Sequence, residues 1–155
     1  VKPKSRITVL LADDQKDIRK ALRKILDAES DMQVVGEAAN GKQAVEMARK
    51  LRPAVVVMDI AMPKLNGLEA TRLIRQDLPA TKVLICSVHS EEAYVERAME
   101  VGAAGYINKL TFADNVVAAV REVQKGKTFL SPAIAKIFSK RRHTFEKKLG
   151  VFCLT

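Results

Sequence analysis

Apolar runs alternate with helix-spaced apolar residues five times along this chain, and that alternation constrains its fold more than any other feature. The runs are Arg6–Ala12, Met32–Ala38, Ala54–Asp59, Lys82–Ser87 and Gly105–Ile107. Between them, Ile18, Leu22, Ile25 and Leu26 recur at helical spacing, as do Ala44, Val45 and Ala48, then Leu68, Leu73 and Ile74, then Val95, Ala98 and Met99. A fifth helical pattern carries Val116, Val117, Val120 and Val123. The first, third and fourth runs are almost continuously apolar, as strands are when helices cover both faces of a parallel sheet. The pattern predicts a doubly wound α/β domain in three αβα layers with five parallel strands, for which 2-1-3-4-5 is one of the common strand orders and the one expected here.

The breaker residues fall where that fold needs them. Asn40–Gly41 precedes the second helix, Pro53 and Pro79 stand before the third and fourth strands, and Gly126 ends the fifth helix. Ser131–Pro132 is an N-cap and first-turn pair for a sixth helical segment over residues 132–140. The expected organisation is one domain over residues 1–127 and a basic helical linker or tail over 128–155. An apolar fraction of 48% is enough for a real core. No stretch is long and apolar enough for a membrane span, and Val1 to Arg6 lacks the apolar centre of a signal peptide, so a cytoplasmic protein is expected. Cys86 and Cys153 suggest neither a disulfide framework nor a metal spacing. Of the net charge of +9, residues 126–155 hold seven basic groups against one acidic. With no reading element beside it, that tail is a solvated linker before it is a nucleic-acid contact.

In an open α/β sheet, ligands bind beyond the carboxyl ends of the strands. Here those ends carry Asp13 and Asp14, Asp59, Ser87 and Lys109. Strands one and three are neighbours in the expected order, so three carboxylates meet and repel one another unless a cation is present. A hard divalent ion with oxygen ligands, Mg²⁺ or Mn²⁺, resolves this. Asp14 and Asp59 would bind it directly, Asp13 directly or through water, and the backbone carbonyl of Ala61 would add a ligand. Asp59 can act as a carboxylate nucleophile toward a phosphoryl group. Lys109 would then supply positive charge at the phosphoryl oxygens, and the Ser87 hydroxyl a hydrogen bond. Taken singly, each residue has a plainer reading. Asp14 could be only the N-cap of the first helix, and a lone Ser or Lys usually does nothing.

The stretches LLADDQ, VVVMDIAMPKLNGLEA, CSVH and GAAGYINKL, in this order, resemble the receiver domain of bacterial two-component response regulators over residues 6–125. The continuation VQKGKTFLSPAIAKIF is similar to the NarL/FixJ-like (LuxR-type) subgroup, in which a linker and a DNA-binding helix-turn-helix follow the receiver. The resemblance implies a flavodoxin/CheY-like fold and phosphorylation of Asp59 by a sensor histidine kinase. It implies Mg²⁺ at Asp13 and Asp14, phosphoryl contact by Lys109, and a conformational switch made of Ser87 and Tyr106. On that reading Tyr106 turns inward when Ser87 moves to the phosphoryl group. The signal then reaches the face of helix four, strand five and helix five, where Tyr94, Val95 and Met99 are expected as surface or edge residues. Homodimerisation on phosphorylation is a further expectation. The chain would be a switch rather than an enzyme, with only its own phosphorylation and dephosphorylation chemistry. DNA would be reached only through a C-terminal domain absent from these 155 residues. The alternative is a stand-alone receiver acting through protein–protein contacts.

Some positions depart from the family pattern. Leu110 follows Lys109 where many receivers have a proline, so no cis bond is expected. Ala61 is too small to guide or block water with its side chain. His89 is expected to be solvent-exposed, with tuning of phospho-aspartate hydrolysis as its other role. Two rival chemistries fit less well. A dehalogenase-like phosphatase would carry a second Asp at Ala61. A dinucleotide site would need GxGxxG after the first strand, where an acidic pair stands instead.

Overall fold

The computed structural model describes residues 5–139. Its strands are β1 (Ile7–Ala12), β2 (Met32–Ala38), β3 (Val55–Met58), β4 (Lys82–Ser87), β5 (Gly105–Asn108) and β6 (Phe129–Leu130). All pair in parallel in the order β2-β1-β3-β4-β5-β6. The expected order is therefore observed, with a sixth strand added beside β5. A two-residue strand has no periodicity to read, and β6 exists through its pairing with Gly105 and Tyr106.

The helices are α1 (Lys16–Asp27), α2 (Gly41–Leu51), α3 (Gly67–Asp77), α4 (Glu92–Glu100) and α5 (Phe112–Gln124). A sixth, α6, occupies residues 132–139. Residue 140, the basic stretch after it and Cys153 lie outside the described residues. One apolar layer places Leu22 and Leu26 of α1 and Val116, Ala119, Val120 and Val123 of α5 against one face of the sheet. The other gathers α2, α3, α4 and Ile134 of α6 on the opposite face. Each buried Leu or Ile contributes about 1.5–3 kcal/mol relative to exposure. The two layers fix the sheet between them, so its strand ends form a rigid platform.

Local chemistry sets the helix starts. The Asn40 side chain accepts from the Gln43 N–H at 2.8 Å, and that of Asn66 from the Glu69 N–H at 3.0 Å. Before α1 the cap position is Gln15, not Asp14, and no side chain caps it. Among the described residues no peptide bond is cis, and no helix is long and apolar enough to cross a membrane.

Candidate functional site

Asp13 follows β1 and Asp59 follows β3, and the parallel ladder brings them side by side. The Asp59 N–H donates to the Ala12 carbonyl at 2.9 Å, and the Asp13 N–H to the Ala38 carbonyl at 3.0 Å. Both carboxylates are buried, whereas Asp14 is exposed. One carboxylate oxygen from each of Asp13, Asp14 and Asp59 lies within 4.8 Å of the others.

Lys109 enters this cluster from the end of β5. Its Nζ lies 2.7 Å from Asp13 Oδ2 and 3.2 Å from Asp59 Oδ2. Backbone amides hold the other oxygens. Asp13 Oδ1 accepts from the Gln15 N–H and Asp59 Oδ1 from the Ile60 N–H, each at 2.8 Å. Burial, then the charge of Asp13, raises the Asp59 pKa against the opposing pull of Lys109. Burial by itself would lower the Lys109 pKa, but its bonds and charge contacts with Asp13 and Asp59 prevail and raise it. Three carboxylates and one ammonium leave two net negative charges on an open edge. That surplus, offered by oxygen donors with an ammonium already among them, fits a divalent hard cation. The nearby Cys86 thiol is no rival nucleophile, because burial pushes its pKa up to about 12.

Gly67 sets the position of the Asp59 carbonyl. A Cβ on this first residue of α3 would stand 1.8 Å from that oxygen and 2.9 Å from Ile60 Cα. The Gly67 N–H also donates to the Ile60 carbonyl at 2.8 Å. Helix and strand end therefore touch backbone to backbone. Ala61 lies exposed in the loop that follows.

Ser87 and Tyr106 sit behind the cluster on β4 and β5, and both are fully buried. The Ser87 hydroxyl accepts from the His89 N–H at 3.0 Å. The Tyr106 hydroxyl donates to the His89 carbonyl. Tyr106 is thus already inward, tied to the turn that Ser87 shapes, and burial raises its pKa. His89 departs from the expected exposed residue. Its ring stacks on Tyr94 with centroids 4.6 Å apart and its Nδ1 lies 3.7 Å from Glu91. Val95, expected at the surface, is buried in the core, while Tyr94 and Met99 are half-buried. The i, i+3 spacing of Val95 and Ala98 marks the inner face of α4.

Sequence reasoning passed over one element of the site. Arg19 on α1 donates from Nη1 to the Asp13 carbonyl at 2.6 Å and from Nε to Glu37 at 3.1 Å. Glu37 also accepts from Arg23 Nε at 2.9 Å. These residues follow no apolar period and meet only once α1 lies beside β2. The sole available signal is a pair of arginines one helical turn apart, at 19 and 23, facing a carboxylate on the neighbouring strand.

Comparison with known proteins agrees with this geometry. Residues 9–121 match the response regulator receiver domain. The chain is 38% identical over 130 residues to the transcriptional regulatory protein DegU of Brevibacillus brevis, covering 84% of this chain and 55% of that protein. It is 36% identical over 146 residues to the response regulator protein VraR of Staphylococcus aureus, covering 94% of this chain and 68% of the relative. Among solved structures, a LuxR-family two-component response regulator from Aurantimonas sp. superposes with a TM-score of 0.84 at 34% identity, covering 89% of this chain and 99% of that one. The receiver domain of a NarL response regulator from Mycobacterium tuberculosis gives 0.76 at 32%, covering 79% and 99%. With its acidic cluster, its lysine and its doubly wound sheet in place, the chain belongs to the receiver-domain family of two-component response regulators.

Proposed function

We propose that Asp59 accepts a phosphoryl group from a phosphohistidine of a sensor kinase and that the chain transmits this event as a conformational signal. The observation that supports it most is the Lys109 ammonium seated between the buried carboxylates of Asp13 and Asp59 beside the exposed Asp14. An Asp59 oxygen attacks phosphorus, the phosphorus–nitrogen bond breaks, and the histidine nitrogen keeps the electron pair and takes up a proton. A divalent cation, Mg²⁺ or Mn²⁺, held by Asp13, Asp14, Asp59 and the Ala61 carbonyl, would neutralise charge on the phosphoryl oxygens. Lys109 does the same from the protein side, leaving Asp13 and Asp59 to the cation and the phosphoryl group. The Ser87 hydroxyl accepts from the His89 N–H and can turn its own proton toward a phosphoryl oxygen.

Such a chain is a switch rather than a turnover enzyme, and a cytoplasmic location is part of the proposal. The name of DegU as a transcriptional regulator points to transcription control as the output, through a DNA-binding domain beyond this chain. Dimerisation on phosphorylation would follow from the same output. In the test, acetyl phosphate and Mg²⁺ are added and the intact mass is read. The wild type should gain one phosphoryl mass, and Asp59→Asn or added chelator should abolish the gain. A wild type that stays at its original mass refutes the reading.

A further inference from the structure

The segment after α5 does more than leave the domain. At β6, the Phe129 N–H donates to the Ala104 carbonyl at 3.2 Å, and the Ser131 N–H donates to the carbonyl of Tyr106 at 3.0 Å. The chain then turns into α6, whose Ile134 is fully buried in the same apolar cluster as Tyr106, Val95, Ala98 and Ala103. Leu130 and Phe138 pack against that cluster, half-buried. Gly105 permits the approach, since a Cβ there would meet the Phe129 carbonyl at 2.6 Å. Residues 129–139 therefore form a strap that runs beside the strand carrying Tyr106 and then packs α6 on the core.

Tyr106 is held at two ends. Its main-chain carbonyl accepts from Ser131, and its side-chain hydroxyl donates to the His89 carbonyl, in the turn whose amide is bonded to Ser87. The path from the acidic site to the chain exit is thus Ser87, the His89 backbone (N–H on one side, carbonyl on the other), Tyr106 and Ser131. Each link is a hydrogen bond or one residue. The strap also carries an unfavourable group: the Ser131 hydroxyl is buried without a hydrogen-bond partner. A buried unpaired hydroxyl opposes docking and offsets part of what the burial of Ile134, Leu130 and Phe138 contributes.

We propose that the strap of residues 129–139 is a docking element read by Tyr106, and that a phosphoryl group on Asp59 tightens its docking. The inference rests on the phosphoryl-acceptor reading for its second half only. Ser87 can donate to a phosphoryl oxygen while still accepting from the His89 amide, so phosphorylation holds the His89 turn, and with it Tyr106, in the inward arrangement.

Amide hydrogen exchange on the 155-residue chain tests both halves. In unmodified protein, Tyr106→Phe removes the bond to His89 and should speed exchange at Phe129 and Ser131 at least threefold relative to wild type, with β1 and β3 unchanged. Ile134→Ser should release the strap and give fast exchange throughout 129–139. If Tyr106→Phe leaves strap exchange at the wild-type rate while Ile134→Ser speeds it, the coupling of Tyr106 to the strap is wrong, and if Ile134→Ser also leaves it unchanged, the strap is not held by its docking. With acetyl phosphate and Mg²⁺, and the phosphoryl mass verified, wild-type strap exchange should slow several-fold, and Tyr106→Phe should lose the response while still gaining the mass. Equal strap exchange in verified phosphorylated and unmodified protein overturns the tightening. An absent mass gain instead strikes the phosphoryl-acceptor reading and with it the tightening, while the unmodified arm still decides whether Tyr106 reads the strap.

Discussion

Replacing Gly67 by alanine should damage the site from outside it. The added Cβ would stand 1.8 Å from the Asp59 carbonyl oxygen and 2.7 Å from its carbonyl carbon, where ordinary contact begins at 3.4 Å. The backbone of α3 or of the Asp59 turn must therefore give way by roughly 1.5 Å, because no flexible side-chain end is available to move. Overpacking of this kind costs about 1–3 kcal/mol. The better helix propensity of alanine offsets at most about 1 kcal/mol of it. A net loss of about 1–2 kcal/mol lowers the melting temperature by roughly 2–8 °C for a domain of this size. The larger effect is on chemistry. A displacement of about 1 Å at a reacting group can cost on the order of a hundredfold in rate. Labelling of Gly67→Ala by acetyl phosphate should therefore be about 10–100 times slower than wild type, measured by intact mass well below the melting temperature. Leu26→Ala is the control. It empties a fully buried position on the opposite face of the sheet and costs about 2–5 kcal/mol, yet it should label at the wild-type rate while folded. A Gly67→Ala rate within threefold of wild type would show that the contact between α3 and Asp59 does not set the geometry of the acceptor.

Three further outcomes are expected. Arg19→Ala frees the Asp13 carbonyl, so Mg²⁺ affinity measured by calorimetry on the folded variant should fall several-fold; unaltered affinity would remove Arg19 from the site. Burial opposes, but hydrogen bonds from Arg23 and Arg19 outweigh it, and the Glu37 pKa lies below its usual value. A depressed carboxylate adds stability that is complete above its unfolded pKa and is lost as pH falls through the folded one. Denaturant midpoints should accordingly drop on acidification below about pH 4.5, with a shallower drop in Glu37→Gln, and equal slopes would contradict the assignment. Ser131→Ala removes the unpaired buried hydroxyl and should leave stability unchanged or raise it by up to about 1 kcal/mol in a thermal melt, whereas a clear loss would mean that the hydroxyl has a partner.

The sequence made the fold legible wherever burial imposes a period. Met32–Ala38 and Lys82–Ser87 have the same bounds as apolar runs and as strands; the second is a central strand buried on both faces, whereas the first is an edge strand that buries only part of its residues. The carboxylates and Lys109 were legible for a related reason. They interrupt apolar runs at strand ends, and parallel topology sends all those ends to one edge. What stayed hidden depends on contacts rather than on period. β6 is a strand only because Phe129 and Leu130 lie beside Gly105 and Tyr106. The hydroxyl of Tyr106 finds a main-chain carbonyl, and a backbone acceptor leaves no trace in residue identity. Arg19 and Glu37 are 18 positions apart and belong to different elements, so nothing local pairs them. Val95 shares the i, i+3 period of Ala98, which marks the inner face of α4, and the structure buries it there rather than at a surface or edge.

The sixth strand also bears on solubility. Without it, β5 would end the sheet and present unpaired main-chain groups to any other chain, the usual starting point for edge-to-edge association. β6 covers the Gly105–Tyr106 part of that edge with two residues, too short a ribbon to recruit another molecule, and helix α6 follows it at once. A receiver trimmed back to the end of α5 would keep its whole acidic site and lose this guard. For expression of an isolated receiver, the safer C-terminal boundary lies beyond α6, even though no described residue past Gln124 contributes a carboxylate to the acidic cluster.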